Sequence, residues 1–363
     1  MRNSAVVHLV ETSERAGEEE LADAARRAFL AAGLGAQLRG LTAVKSHFGE
    51  QGGRGFVPPR VIREVVELVR AAGGTPFLTD TTTLYTGRRS NALDYTALVH
   101  EHGFTPAAVG APFLCADGLV GANETEVPID GVHHRSVALA ADALRANSAV
   151  IVSHATGHLA AGFGAAIKNI GMGLASRRGK LRQHSVLRPH VDPDHCIGCE
   201  DCLPNCAGGA IGPDARRTGK TPVMAIDPDR CTGCGECLTS CRQDAIRFDW
   251  KAESRRLQEA MAEYALGWAR RMTGRFGCLT FVVHVTKNCD CMGRREKPLC
   301  PDIGVLAGTD PVALDQAACD LLRTRNGRTL EAMSFPKLDG TLQLAHGERI
   351  GLGTRRYELV RVG

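Results

Sequence analysis

Residues 196–206 read CIGCEDCLPNC and residues 231–241 read CTGCGECLTSC. Both are C-x2-C-x2-C-x3-C, and the second follows the first by the 35 positions that separate Cys196 from Cys231. The repeat extends beyond sulfur: Asp192-Pro193-Asp194 returns as Asp227-Pro228-Asp229, and Ala210-Ile211 returns as Ala245-Ile246. Three thiolates at two-residue gaps converge on one point only from a tight loop, and this run wraps a cubane iron–sulfur cluster. Gly198 and Gly233 leave room for backbone to approach inorganic sulfide. Zinc modules take paired C-x2-C knuckles, in which the third and fourth cysteines of each run would be surplus. The spacing therefore predicts an iron-sulfur, metal-binding segment with two [4Fe-4S] clusters.

The stretch also decides the fold, because a different pattern surrounds it. Apolar runs at Ala5–Val10, Leu41–Ser46, Thr75–Asp80 and Asn147–Ser153 read as strands. Between them, Glu18–Ala32, Pro59–Ala72, Ala92–His102 and Val137–Ala146 carry helical periodicity, with Glu18, Glu19 and Glu20 in the first turn of one helix and Pro59 opening another. After the cysteines come a helix at Ala252–Met272, a strand at Cys278–Thr286, a helix at Pro311–Arg325 and a strand at Tyr357–Val362. Strands alternating with helices imply βαβ units. The expected fold is α/β, a mainly parallel sheet flanked by helices. Residues 1–189 and 251–363 form one host domain, and residues 190–250 are inserted in it. Acidic residues outnumber basic ones in the insert, whereas Arg177, Arg178, Lys180, Arg182 and Arg188 just before it form a basic stretch. Each of these is expected to be solvated, unless the insert docks there.

The chain has 363 residues, enough for a large core, and a formal net charge of +4. That charge is too mild to argue for nucleic acid, and only Phe 11, Tyr 4 and Trp 2 supply aromatic rings for base stacking. The first fifteen residues do not form a signal peptide, and no run of apolar residues is long enough for a membrane span. With 14 cysteines and no secretion signal, a cytoplasmic, reducing setting with metal chemistry is expected, without disulfides.

Residues 45–50 (KSHFGE), 80–85 (DTTTLY), 153–154 (SH), 168–173 (KNIGMG) and 310–315 (DPVALD) together resemble the domain-of-unknown-function family 362, in members carrying a ferredoxin segment. The resemblance covers nearly the whole chain and implies an iron–sulfur protein with an α/β host, without supplying a substrate. Within the insert, the segment resembles a two-cluster ferredoxin, in which the fourth cysteine of each run serves the other cluster. The resemblance implies that Cys196, Cys199, Cys202 and Cys241 hold one cluster, and that Cys231, Cys234, Cys237 and Cys206 hold the other. Ferredoxins place proline after the fourth cysteine; Ala207 and Arg242 stand here instead. Arg242 would raise a potential by bringing positive charge near a cluster.

In open parallel sheets, ligands bind beyond the carboxyl ends of strands. Four such ends carry polar groups here: Lys45, His47 and Glu50; Asp80 through Tyr85; His154 and His158; and Lys287 through Cys291. They predict one shared crevice. His154 and His158 share a face if the segment is helical, although Thr156-Gly157 makes a loop equally plausible. Lys168 sits among glycines, in a stretch suited to close approach by a ligand. Cys289 and Cys291, one residue apart, are poorly placed to bond to each other and are candidate ligands of a third metal centre, joined by Cys300, Cys278, Cys115 or a histidine. The competing reading makes Cys115, Cys278 and Cys319 ordinary core residues.

These elements predict an iron–sulfur oxidoreductase, with electrons passing from the insert to the crevice and Lys168, His154, His158 or His47 supplying protons or charge. Its partners would be a redox protein, as electron donor or acceptor, and a small-molecule substrate. The alternatives are a ferredoxin-type electron carrier whose host domain only docks partners, and an iron–sulfur cluster or sulfur donor. The size of the host relative to the insert favours the enzyme.

Overall fold

The computed structural model describes residues 4–85, 87–184, 189–206, 208–215, 217, 222–231, 237, 240–248 and 254–363. In chain order the strands are β1 (Ala5–Glu11), β2 (Gly40–Lys45), β3 (Gly74–Asp80), β4 (Phe113–Cys115), β5 (Glu124–Pro128), β6 (Ser136–Ala140), β7 (Ser148–His154), β8 (Thr156–His158), β9 (Gly162–Gly164), β10 (Pro189–Val191), β11 (Ile211–Pro213), β12 (Met224–Ile226), β13 (Ile246–Phe248), β14 (Phe276–Val282), β15 (Gly304–Gly308) and β16 (Tyr357–Arg361). Eight of them form one sheet in the order β16-β1-β15-β14-β7-β2-β3-β4. Only β15 runs against its neighbours; the other adjacent pairs are parallel.

Both faces of this sheet are covered. Ile151 of β7, Cys278 of β14 and Leu306 of β15 belong to one apolar core with Ala265 and Trp268 of the helix Ser254–Arg271. Their neighbours Val150, Val152, Leu279 and Val305 belong to a second core with Phe29 and Val65 of the helices Glu18–Ala31 and Pro59–Ala71. Alternate residues of one strand thus feed opposite layers, which is why β7 and β14 read as unbroken apolar runs. The result is an α/β fold, a mostly parallel sheet flanked by helices.

The expected helix Val137–Ala146 is a correction: β6 pairs with β5 over Ser136–Ala140, and only Ala141–Arg145 is helical. A Cβ on Gly267 would stand 2.4 Å from Val137 Cγ2, so this strand packs directly on the helix Ser254–Arg271 and tertiary pairing overrides alanine's helical preference. The strand β15 and the helix Leu342–Ile350 were not anticipated; GVLAG is too short and glycine-bounded to signal itself. For the segment after His154, where helix and loop compete in the sequence, the structure shows the hairpin of β8 and β9. No helix among the described residues is long and apolar enough to cross a membrane.

Among the described residues, none of 189–248 joins the large sheet. They carry two small antiparallel pairs, β10 with β13 and β11 with β12. The 35-residue repeat is also a hydrogen-bonding repeat. Cys196 N–H donates to Asp192 O at 3.1 Å and Cys231 N–H to Asp227 O at 3.0 Å. The halves exchange bonds: Asp192 N–H donates to Ala245 O and Asp227 N–H to Ala210 O, each at 2.7 Å. Neither half completes its own backbone pairing alone.

Candidate functional site

The carboxyl ends of β2, β3, β7 and β14 open into one cavity of about 730 Å³. Its wall includes Lys45, His47, Asp80, Tyr85, His154, His158, Lys168, Cys289, Asp290 and Cys291. The four strand ends singled out in the sequence therefore meet. Five of the lining side chains are cationic (Lys45, Arg88, Arg89, Lys168, Lys180) and three are anionic (Glu50, Asp80, Asp290). An excess of positive charge in a partly desolvated crevice favours an anionic occupant.

Asp80 is the hub. Its carboxylate contacts Lys45 Nζ at 3.1 Å and Arg89 at 3.2 Å, and accepts from Tyr95 Oη at 2.5 Å and Thr81 N–H at 2.9 Å. Burial works to raise its pKa, but Lys45 and Arg89 outweigh this and hold it below the ordinary carboxylate range. Lys45 also donates to Asn169 Oδ1 at 2.6 Å, tying β2 to the helix Ala166–Gly171. The role of Arg89 was not legible in the sequence, since RR in a polar turn reads as solvated charge; here it is 4% exposed.

The histidines divide by their ring partners. His154 faces acceptors on both sides, Asp290 Oδ2 at 2.9 Å and Val283 O at 2.8 Å. Burial lowers its pKa, but the charge and hydrogen bond of Asp290 and the Val283 carbonyl raise it overall, which favours an imidazolium donating twice. His47 faces donors on both sides, Gly49 N–H at 3.1 Å and the Arg89 guanidinium at 2.7 Å. Burial and Arg89 push its pKa well below the ordinary value. Both rings are fully engaged, so they position Asp290 and Arg89. His158 accepts at Nδ1 from the N–H groups of Ala160 (3.3 Å) and Ala161 (3.0 Å).

Lys168 lines the cavity and its ammonium forms no hydrogen bond among the described residues. Gly164 makes room for it: a Cβ there would meet Lys168 Cδ at 2.6 Å. Burial brings the Lys168 pKa down to about 8; Asp290 opposes this and Arg89 and Lys45 add to it. The basic stretch before the insert is not uniformly solvated as expected. Lys180 is buried against Ala175 O and Thr81, and Arg177 is buried beside Asp244 of the insert at 3.4 Å. Arg178 and Arg182 pair with Glu126 of β5 instead.

Cys289 and Cys291 are joined as a disulfide, with Cα atoms 5.3 Å apart. This corrects two expectations, that their spacing keeps them apart and that the chain holds no disulfide; the turn Asp290–Met292 folds the two positions onto one side. A ring nitrogen of His158 and the two sulfurs lie within 4.8 Å of one another, the only such group of possible metal donors among the described residues. In the bonded state these sulfurs are not thiolate ligands, so a third metal centre requires the reduced pair. Cys300, Cys278 and Cys115 do not join them; Cys278 is fully buried in β14, and Cys115 donates to Asp117 at 3.3 Å.

In the insert, Cys196, Cys199, Cys202 and Cys241 line one small cavity. Burial and the nearby Cys241, Cys196 and Cys199 push the Cys202 thiol up to about 11. Backbone N–H groups of Met224, Ala210 and Ala245 donate to the sulfurs of Cys196 (3.5 Å), Cys206 (3.2 Å) and Cys241 (3.3 Å). Among the described residues no three of these sulfurs approach within 4.8 Å of one another. A single tetrahedral zinc ion, with Zn–S near ~2.3 Å, would draw them closer than that. Cys231 and Cys237 are described, and Cys234 lies outside the described residues. Leu84, which lines the large cavity, belongs to one apolar cluster with Leu181, Cys202 and Cys237 of the insert.

A comparison with curated proteins finds no match. Among solved structures, the lactate racemase apoprotein from Thermoanaerobacterium thermosaccharolyticum aligns at 12% identity with a TM-score of 0.43, covering 89% of this chain and 58% of that one. The chain thus spans less than two-thirds of that protein's length. Residues 42–320 match the family described as a domain of unknown function, DUF362. That match covers well over half of the chain, including all four strand ends of the crevice, and the chain belongs to the DUF362 family.

Proposed function

We propose that this protein is an iron–sulfur oxidoreductase that reduces or oxidises a small anionic molecule in the crevice. Cys196, Cys199, Cys202 and Cys241 would hold one [4Fe-4S] cluster, and Cys231, Cys234, Cys237 and Cys206 the other. The observation that carries the reading is the small cavity in the insert, whose lining takes three cysteines from the first run and the fourth from the second. The exchanged backbone bonds between the halves and the N–H groups aimed at sulfur fit the same arrangement. When bound, such clusters supply one-electron transfer. Leu84 lines the crevice and shares an apolar cluster with Cys202 and Cys237, which fits a module packed beside it.

Within the crevice, Lys168 is the cation left for a substrate's anionic group, since Lys45 and Arg89 are committed to Asp80. His47 and His154 hold other side chains, and His158, whose Nδ1 accepts from backbone, keeps an Nε2–H to donate to an occupant. A redox protein would deliver or remove the electrons. Anaerobic purification with iron and sulfide analysis tests the first half of this: about eight of each per chain are expected. Zinc in place of iron would overturn it.

The state of Lys168 is testable without a substrate. Competitive acylation read by mass spectrometry should show its amine titrating near about 8, well below an ordinary lysine. It is an ammonium below that pH and a free amine above it, so anion binding weakens as pH rises through it. Asp290→Asn removes a charge that raises the value and should lower it further. An unchanged or higher value would show that Asp290 does not face Lys168.

A further inference from the structure

We propose that Cys289 and Cys291 are a redox-active pair in the crevice, cycling between disulfide and dithiol, with His158 as the hydrogen-bond donor that steadies the thiolate. A cross-link between residues only 2 apart in sequence closes almost no loop. It removes little entropy from the unfolded chain, so stability is a weak reason for its presence. Its location gives a better one. Both cysteines line the cavity that Lys168 and Leu84 also line, where an oxidisable group can meet a ligand.

The hydrogen bonds of His158 separate hydrogen-bond donation to sulfur from metal ligation. Nδ1 accepts from two backbone N–H groups, so the neutral ring carries its proton on Nε2. A nitrogen that bears a proton donates to a thiolate; a metal ligand must offer a lone pair. With a ring nitrogen and both sulfurs inside 4.8 Å, the geometry favours the first role. The balance is simple. The disulfide takes two electrons and the S–S bond breaks to give two thiolates, one of them held by a hydrogen bond from the Nε2–H of His158; two protons from solvent then complete the dithiol. In the return step the thiols pass two electrons and two protons to a two-electron acceptor held by Lys168, and the S–S bond re-forms. The electron source rests on the function proposed above: electrons arriving singly through the cysteine module would be gathered here in pairs. The pair's own chemistry does not depend on that source.

The test uses the full chain, purified anaerobically, equilibrated in mixtures of reduced and oxidised dithiothreitol, then alkylated and read by mass spectrometry. Cys289 and Cys291 should become alkylated together along a two-electron curve. His158→Ala should make the pair harder to reduce, moving the curve by about tenfold or more towards reduced dithiothreitol. Alkylation of both residues even after equilibration with oxidised dithiothreitol alone would overturn the proposal, as would a disulfide inert to reduced dithiothreitol in the folded protein. So would zinc or iron retained by the reduced chain and lost in Cys289→Ser. Dithionite supplies the second arm: it should reduce the pair in the wild type and fail in Cys202→Ala. If dithiothreitol reduces the pair but dithionite acts equally on both chains, the cluster route fails and the redox pair stands.

Discussion

Replacing Asp80 by alanine is expected to cost about 3–5 kcal/mol of folding stability, the range for breaking a buried ion pair from one side. Two cations depend on this carboxylate, Lys45 at 3.1 Å and Arg89 at 3.2 Å, and all three side chains are at most 5% exposed. Removal strands both in the interior. Lys45→Met should cost less, because Asp80 keeps Arg89 and the Tyr95 hydroxyl. The difference between the two variants, read from urea denaturation at neutral pH, measures the network's dependence on its hub. The pH dependence has a definite sign. The Asp80 pKa is held below its unfolded value. Its stabilisation is therefore complete above the ordinary carboxylate range and is lost as pH falls through the folded value. The gap between wild type and Asp80→Ala should narrow in acid. A loss below about 1 kcal/mol at neutral pH would mean that water in the crevice already solvates these charges.

That network also shows where the sequence stops being informative. Strand ends are legible, because apolar runs such as AVIVS stop abruptly at polar groups, and the parallel-sheet rule then brings those groups together. Lys45, His154 and His158 were reachable this way, and Lys168 through its glycine-rich setting. Arg89 and Lys180 were not: each lies outside a strand, in a stretch whose charge reads as solvated, and each is buried only because a distant carboxylate or hydroxyl receives it. The Cys289–Cys291 bond was hidden for a similar reason. A two-residue spacing permits sulfurs to meet or diverge, and the turn at Asp290–Met292 decides. Misreading Val137–Ala140 as helix has the opposite cause: alanine's local preference was clear but lost to pairing with β5.

The insert allows the most discriminating prediction. Under the crossed assignment, Cys241→Ala should remove the cluster of the first run, although Cys241 belongs to the second. Iron should fall from about eight to about four per chain. The cluster that remains should match the one left by Cys196→Ala in its paramagnetic resonance spectrum, and differ from the one left by Cys237→Ala. If Cys241→Ala instead matches Cys237→Ala, each run serves its own cluster and the crossed arrangement is wrong. The backbone argues for crossing independently of sulfur. Asp192, which opens the first half, donates to Ala245 near the end of the second, and Asp227 donates to Ala210 in return. These bonds bring the tail of each half back beside the start of the other, so the fourth cysteine is carried to the neighbouring run's loop, as the shared cavity of Cys196, Cys199, Cys202 and Cys241 requires. Loss of a first-run cysteine should therefore loosen both halves, and protease sensitivity in Cys196→Ala should rise on both sides of the repeat, not in residues 196–206 alone.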